Sequence, residues 1–448
     1  MHLGWSLMIL VGCVPSRSTL FDPVDREVER RTGVAVAWSA EEPRAREAIA
    51  TLLAKPLDLD AAVRIALARN HRLQARYDEL GIAASRIAEA TVLPPLTVDF
   101  DYKRATSGHG SETEVTVIQD VLALLQITQR RAVANVELAA SQARAVAATV
   151  ELAAHVEVAF DNHVAAKQEL ALVQTAFDVA SAAALLVERQ HAAGNTTELA
   201  LAREQEQRER LRIEVARAVE LVVQRRAQLG AALGLAGDAT TWDTSARLPE
   251  VPAAPPVLAD LEPASSGSSL EIAALRADAD AASARHRFSM IRAVLPELGA
   301  GVAGARRAGE GWEVGPAVRI GLPLFDQQQG PRARALAEEK RARDELSATA
   351  TELHADVTTI RSHVMQAYGE VRQLTDVVLP LRQRILEQTV LQYNAMNAST
   401  FELLAARRDM VDLGRQLIDA SRRYWNALAE AKALRRGGHV MPEQEMTP

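Results

Sequence analysis

Short segments with an apolar residue at every second position interrupt a chain that otherwise favours helix. The clearest is LTVDFDYK, in which Leu96, Val98, Phe100 and Tyr102 alternate with polar residues. A period of two places successive side chains on opposite faces of a β-strand. The strand must therefore bury its apolar face against protein or against another nonaqueous phase, while its other face meets water.

Three further segments complete two strand hairpins. TEVTVIQDV, which we predict to remain strand as far as Val121, follows LTVDFDYK across a turn-rich stretch. ELGAGVAGARR and WEVGPAVRIGLPLF form the second hairpin, separated by a Gly-rich turn. In the last strand the apolar residues that share one face are Trp312, Val314, Val318, Ile320, Leu322 and Leu324. Tyr102, Trp312 and Phe325 lie near strand ends, where membrane proteins carry an aromatic belt.

A long helical run follows each hairpin. Ile127 to Ala193 contains neither Gly nor Pro, and a continuous helix there would be about 95 Å long. The loop AAGNTTE and a return helix ending near Leu233 come next. In the second half, a run to about Gln392 with a kink at Pro380 leads to the loop NAMNASTFE and a return helix. The halves are offset by roughly 200 residues, which predicts a two-fold internal repeat.

The repeat and the composition divide the chain into six predicted segments. We place a signal peptide at 1–12, an N-terminal lipid-anchored segment of no strong period at 13–56, and the first repeat at 57–236. A Pro- and Ser-rich linker at 237–269, the second repeat at 270–436 and a C-terminal tail at 437–448 follow. Each repeat begins with a helix, and we predict that the first of these runs unbroken from Asp58 to Leu93.

Several classes of function find no support in the residues. With 58 acidic and 51 basic residues spread along the chain, no basic face for nucleic acid is expected. Beyond the N-terminus we find no apolar run of about 18 residues, so no membrane helix is expected. The histidines form no metal-ligand spacing, and nucleophile, phosphate-loop and dinucleotide motifs are lacking. We therefore expect no enzyme, no metal site and no cofactor.

The single cysteine, Cys13, closes the stretch Leu10-Val11-Gly12-Cys13. This stretch is similar to the lipobox of bacterial lipoproteins, in which the cysteine carries a diacylglycerol. The leader is short and has no Lys or Arg before its apolar run, which departs from that pattern. The alternative is a buried free cysteine near the terminus. We predict lipidation at Cys13.

The order of these segments resembles the TolC-like outer-membrane factors of bacterial efflux and secretion systems. LDLDAAVRIALARNHRL, the helix ends VLPPL and VLPEL, VVLPLRQ around Pro380 and both tip loops carry the resemblance, from Leu57 to Leu434. It implies a mainly α fold with membrane β-hairpins: a homotrimer in the outer membrane whose four strands per chain form a twelve-stranded β-barrel. The long helical hairpins form a periplasmic α-barrel. Four strands cannot close alone, since known membrane barrels begin at eight.

The resemblance also implies partners and sites. A periplasmic adaptor would join the helical tips to an inner-membrane pump, and the duct itself would be passive. The predicted docking tips are Gly194, Asn195 and Thr196, and Asn397, Ala398 and Ser399, with Gly194 and Asn397 in the left-handed conformation. Ordinary helix capping is the alternative for these loops. Glu402 is the candidate for a periplasmic gate ring, against a solvated helix charge. The predicted lipid-facing residues are Val98, Phe100, Tyr102, Trp312, Val318 and Ile320.

Two questions stay open at this stage. A periplasmic adaptor or coiled-coil scaffold would also contain long helical hairpins, although it would not need four alternating strands. The lipobox and Ala-rich helices are similar to the metal-ion efflux branch, the cobalt-zinc-cadmium and copper-silver ducts. Export of drugs or solvents is the other expectation for the cargo.

Overall fold

The computed structural model describes residues 16–38, 43–104, 106, 110–235, 242–245, 247–294, 297–322 and 327–438. The predicted signal peptide and Cys13 lie outside these residues, as do Leu324, Phe325 and most of the predicted tail. The chain divides into two compact units. The first comprises Met1–Val24, Arg76–Ala145 and Leu270–Thr351 and contains the strands, and the second comprises Asp25–Ala75, Val146–Ser269 and Glu352–Pro448.

Helices dominate both units, as the composition predicts. The helices of the first half are α1 (Arg17–Thr32), α2 (Pro43–Leu53), α3 (Leu59–Arg69), α4 (His71–Thr91), α5 (Val121–Leu125), α6 (Ile127–Ala192) and α7 (Glu198–Ala232). Those of the second half are α8 (Leu261–Ser268), α9 (Leu270–Val294), α10 (Gln329–Gln373), α11 (Leu379–Asn394) and α12 (Thr400–Arg435). The 66-residue α6 and its return helix α7 confirm the predicted helical hairpin.

The strands form one antiparallel sheet in the order β1-β2-β3-β4. Their bounds are β1 (Thr97–Arg104), β2 (Ser111–Asp120), β3 (Leu298–Arg307) and β4 (Trp312–Ile320). Both predicted hairpins are confirmed, and each half supplies one of them. The predicted extension of β2 to Val121 is wrong, because the Asp120 carboxylate accepts the Ala123 N–H at 2.9 Å and begins α5.

The predicted unbroken helix from Asp58 to Leu93 is also wrong, since it breaks at Asn70. Asn70 has an extended backbone (ψ 110), and its side-chain oxygen accepts the N–H groups of Arg72 and Leu73 at 3.0 and 3.1 Å. An asparagine that caps the first turn of a helix offers the backbone an alternative to continuing the previous one. The chain therefore turns at Asn70 without Gly or Pro.

The predicted kink at Pro380 takes the form of a widened helical turn. Leu374–Val378 is a π-helix between α10 and α11, and Pro380 lies at the start of α11. A proline inside a helix lacks an N–H and its ring crowds the carbonyl four residues earlier. A π-turn accommodates both defects while the helix continues.

Two segments that were predicted without structure contain helices. In the segment 13–56, α1 buries Leu20, Val24 and Val28 at a spacing of four residues, a helical period that sequence reasoning missed. The predicted linker contains α8, and its proline-rich part lies along helices of the second unit. There the carbonyl oxygen of Pro249 accepts the indole N–H of Trp425 at 3.1 Å.

Small side chains and a few large ones make up the core. Alanine accounts for many buried positions of α6 and α12, and the buried residues Val150, Ala154 and Ala433 form one apolar cluster. In the first unit Phe21 packs edge-on against the fully buried Tyr77, with ring centroids 4.9 Å apart.

By length and composition alone, one window of α6 would suffice for a membrane helix. The expectation that no such run exists is therefore wrong.

Candidate functional site

The four-stranded sheet exposes one apolar face. Its register pairs Phe100 with Val115, Val115 with Gly304 and Gly304 with Val314, so one row of this face crosses all four strands. The residues predicted to face lipid lie on it with exposed fractions between 52% and 67%: Val98, Phe100, Tyr102, Trp312, Val318 and Ile320. Contiguous exposed apolar surface of this kind marks contact with a membrane or with another protein.

The opposite face of the sheet is polar and carries ion pairs. These pairs are Lys103–Glu114 at 4.0 Å, Arg307–Glu112 at 3.5 Å, Arg319–Asp99 at 2.5 Å and Arg319–Glu297 at 3.7 Å. All are partly exposed, so each stabilises the sheet by well under 1 kcal/mol, about the median for surface pairs. Ile118 departs from the pattern, since it lies on this face and is buried at the base of the sheet. The face suits contact with water.

The two edges of the sheet have no strand partner among the described residues. β1 pairs only with β2, and β4 pairs only with β3. The outward N–H and C=O groups of such edges can bind water or another strand. In hydrocarbon each unpaired group costs several kcal/mol, so this sheet cannot enter a bilayer with its edges open.

The first helical tip joins α6 to α7 at Gly194. Gly194 has a positive φ of 74, as predicted for a left-handed helix end. Its N–H reaches the His191 carbonyl at 2.8 Å, and the Asn195 N–H reaches the Gln190 carbonyl at 2.8 Å. This pair of bonds is the Schellman arrangement. Thr197 then begins α7 by accepting the Ala200 N–H.

The second tip joins α11 to α12 with the same hydrogen bonds but a different residue in the left-handed position. Met396, not the predicted Asn397, has the positive φ of 62. The Met396 and Asn397 N–H groups reach the carbonyls of Tyr393 and Gln392 at 3.0 and 2.8 Å. The Schellman bonds fix which residue adopts this conformation, and here they override the higher left-handed propensity of asparagine. Met396 is 93% exposed, so its side chain meets no obstacle.

Glu402 has a local role in helix capping. Its carboxylate accepts the Ser399 N–H at 2.7 Å and the Ser399 hydroxyl at 2.9 Å, while the Ser399 hydroxyl accepts the Glu402 N–H. This capping box begins α12. The same two hydrogen bonds to the carboxylate lower the pKa of Glu402. Its membership of a gate ring stays a prediction.

A buried polar cluster in the second unit was not predicted. Asp161 on α6 is 7% exposed, and burial, together with the neighbouring Glu157, raises its pKa to about 7, against an opposing effect of Lys432. Glu157 itself pairs with Lys432 at 3.2 Å and with Arg436 at 3.6 Å. The available signal was two acidic residues four apart in an Ala- and Val-rich stretch of helix, which places both on one face.

His163 lies close by and is almost completely buried. Neither ring nitrogen has a hydrogen-bond partner among the described residues, and the ring contacts Trp242 edge-on at 5.8 Å. Burial, with Lys167 and Arg226 nearby, lowers the pKa of His163 to about 4. Among the described residues, no group of three His, Cys, Asp or Glu is arranged to hold a metal ion.

The fold matches solved outer-membrane proteins over most of the chain. Vibrio cholerae VceC, an outer membrane protein, gives a TM-score of 0.70 at 15% identity, covering 86% of this chain and 97% of its own. The Campylobacter jejuni CmeC outer membrane channel gives 0.67 at 14% identity, covering 86% and 87%. The open-state Neisseria gonorrhoeae MtrE outer membrane channel gives 0.65 at 18% identity, covering 85% and 89%.

Sequence comparison adds nothing to this likeness. No protein-family model matches the chain, and no curated protein sequence matches it. The fold alone is therefore assigned. It is the fold of TolC-like outer-membrane channels, with long helices and a four-stranded antiparallel sheet.

Proposed function

We propose that this protein is the outer-membrane duct of a tripartite efflux system and acts as a passive homotrimer rather than an enzyme. The observation that carries the proposal is the sheet, which has an exposed apolar face, a charged face and two unpaired edges. Three copies supply twelve strands, enough to close a membrane barrel. Closure pairs every edge and turns the apolar face to lipid and the charged face to a water-filled lumen.

The helices of the second unit support a tunnel built from several copies. Large apolar side chains on α6 and α7 are exposed in the single chain, among them Val179, Leu185, Leu186, Leu199 and Val223. Side chains of this kind would be buried by packing against helices of a neighbouring copy. We propose that these helices form the periplasmic α-barrel, and that the tips meet a periplasmic adaptor which links the duct to an inner-membrane pump.

Membrane attachment and cargo complete the proposal. A lipid on Cys13 would give each copy a second attachment to the outer membrane, beside its strands. We propose small solutes as cargo, either heavy-metal ions or drugs and solvents. Deleting the gene and measuring growth against both classes would separate the two, because loss of export sensitises cells only to solutes that the duct carries.

Reconstitution into planar bilayers tests the proposed duct. The full chain, purified from outer membranes, should be trimeric in detergent and should form discrete ion-conducting pores. A periplasmic adaptor or coiled-coil scaffold is expected to give neither. The protein would be no duct if it fractionated as a soluble monomer or left the bilayer conductance unchanged.

The tip loops allow docking to be separated from helix capping. Asn195 and Asn397 are exposed and donate only backbone hydrogen bonds in the described structure, so Asn195→Arg and Asn397→Arg should leave both helices intact. If the tips bind an adaptor, these variants lose co-purification with it and lose export. Thr197→Ala is the control for helix capping, because it removes the cap of α7 and leaves Asn195 and Asn397 in place. Unchanged binding by both arginine variants would remove the tips as the docking site.

Glu402 can be tested without disturbing its helix. Glutamine also completes a capping box, so Glu402→Gln should retain the structure of α12 while removing the charge. Three carboxylates around a pore axis attract cations. The variant should therefore reduce cation selectivity in bilayer recordings, measured as the reversal potential in a salt gradient. An unchanged reversal potential would assign Glu402 to capping alone.

A further inference from the structure

The outer strands of the sheet approach each other through one ion pair. Arg319 on β4 and Asp99 on β1 lie at opposite edges of the sheet, yet their side chains are 2.5 Å apart. Three strand spacings of about 4.8 Å each would separate these edges by roughly 14 Å in a flat sheet. The extended side chains of Arg319 and Asp99 cover part of this distance, and a curl of the sheet toward its charged face covers the rest.

Glycines on β3 permit this curl. Gly299 and Gly301 lie on the concave face, opposite Asp120 and Ile118 of β2. A Cβ on Gly301 would overlap the Val117 carbonyl oxygen, and one on Gly299 would meet Ile118 Cγ2 at 2.5 Å. Larger side chains at these positions would prevent β2 and β3 from bending toward each other. The approach of the two edges is thus built into the backbone.

We propose that the Arg319–Asp99 contact marks the seam between copies: in the assembled barrel, Arg319 pairs with Asp99 of the partner subunit. This inference rests on the proposed trimer. A closed barrel must join β4 of one copy to β1 of the next, the same two edges that the single chain brings together. A contact made within one chain can be made between identical chains when an edge is exchanged, as in domain swapping.

The pairing also specifies a register. Across the sheet, Gly315 is level with Asp99 through Ala303 and Thr116, so Arg319 lies four residues beyond the level position. With Arg319 opposite Asp99, antiparallel pairing places Val318 opposite Phe100 and Ile320 opposite Val98. Apolar residues then meet on the outer face and charged or small residues on the inner face, as the alternation of both strands requires.

The stagger satisfies the geometry of a barrel. In the proposed register β4 is offset from β1 of the next copy by four residues, so the three seams of the trimer add up to a shear number of about twelve for twelve strands. The tilt of the strands depends on the ratio of the shear number to the number of strands. An eight-stranded barrel with a shear of eight has that same ratio and a tilt of about 36°. Membrane barrels tilt their strands by about 35–45°. The register that the ion pair selects therefore falls within the range of real barrels.

Charge reversal in separate chains tests the seam. Asp99→Arg and Arg319→Asp should each lower the melting temperature of the detergent-purified trimer, because each places like charges at every seam. When the two chains are co-expressed with different tags, a mixed trimer has opposite charges at two of its three seams. Mixed trimers isolated with both tags should recover at least half of the lost melting temperature. If Arg319 and Asp99 paired within one chain, the mixed trimers would recover none of the lost melting temperature.

Three further variants keep the test decisive. Glu112→Arg, mixed with Arg319→Asp, is the control that should show no recovery, because Glu112 pairs with Arg307 inside the sheet. If the reversed chains fail to assemble at all, co-expressed Ala317→Cys and Asp101→Cys chains provide the readout. These positions are opposite in the proposed register and should form a disulfide between chains.

The outcomes separate this inference from the proposed function. A wild-type chain that is not trimeric defeats both. A conducting wild-type trimer with no recovery on mixing and no disulfide between the two cysteine chains defeats only the Arg319–Asp99 seam.

Discussion

Substituting Asp161 should change how stability depends on pH. In the folded protein its pKa is raised from 3.8 to about 7 by burial and by Glu157. Between these values the folded state holds a proton that the unfolded state has released, so the free energy of unfolding falls as the pH rises. A difference of about three pH units corresponds to about 4 kcal/mol. Asp161→Asn, which cannot ionise, should therefore be more stable than wild type at pH 8, by about 4 kcal/mol at most.

His163 contributes with the opposite sign. Its pKa is lowered from 6.5 to about 4, so the unfolded state binds a proton that the folded state rejects. Stability is lost as the pH falls from 6.5 through 4, by about 3 kcal/mol. The two effects largely cancel in the wild type between these pH values. Asp161→Asn should reveal the histidine effect as a rise in stability with pH, and His163→Phe should reveal the aspartate effect as a fall.

Urea unfolding followed by far-ultraviolet circular dichroism measures these profiles. Wild type, Asp161→Asn and His163→Phe are compared from pH 4 to pH 8 in one detergent at one protein concentration, since assembly makes stability concentration-dependent. Ionisable groups that do not interact with Asp161 or His163 contribute equally to all three proteins and cancel in the differences. If Asp161→Asn followed the wild-type profile within about 0.5 kcal/mol, Asp161 would not be protonated near neutral pH and the reasoning would be refuted.

Two backbone positions give further predictions. Gly234 has a φ of 68°, and a Cβ there would lie 2.6 Å from the Arg69 carbonyl oxygen. Gly234→Ala should therefore lower the free energy of unfolding by about 2–3 kcal/mol, as measured by urea titration. An unchanged unfolding midpoint would contradict the close approach. Met396 adopts φ 62 without being glycine, so Met396→Gly should raise local stability at the second tip by up to about 1 kcal/mol. Slower amide hydrogen exchange of the Asn397 N–H is the expected signature, and faster exchange would count against it.

Sequence reasoning succeeded where a feature depends on local periodicity. The alternation of β1 and β4, the long α6 and the repeated order of elements follow from spacings of two and 3.6 residues, which any short window contains. It failed where tertiary contacts choose between local options. Asn70 interrupts a run that has good helix formers on both sides, and the Schellman bonds of the second tip select Met396 over Asn397.

The site was only partly predictable for the same reason. The lipid-facing candidates could be named because their face is set by strand parity, and the structure exposes all of them. The pairing of Arg319 with Asp99 could not be predicted, because these residues are 220 positions apart in the sequence and meet only through the curl of the whole sheet. Asp161 and His163 were missed since a helical period shows which face is buried but not which polar groups that face carries.

The sheet also constrains the order in which a duct of this kind can form. Its apolar face favours lipid, but the outer edges of β1 and β4 carry backbone groups that cost several kcal/mol each in hydrocarbon. A single chain that inserted alone would bury both edges unpaired, whereas three chains that join their edges bury none. In the proposed trimer, strand pairing between copies must therefore precede or accompany insertion. The curled sheet of the single chain, with Arg319 and Asp99 already in contact, presents both edges near each other at the stagger that joining requires.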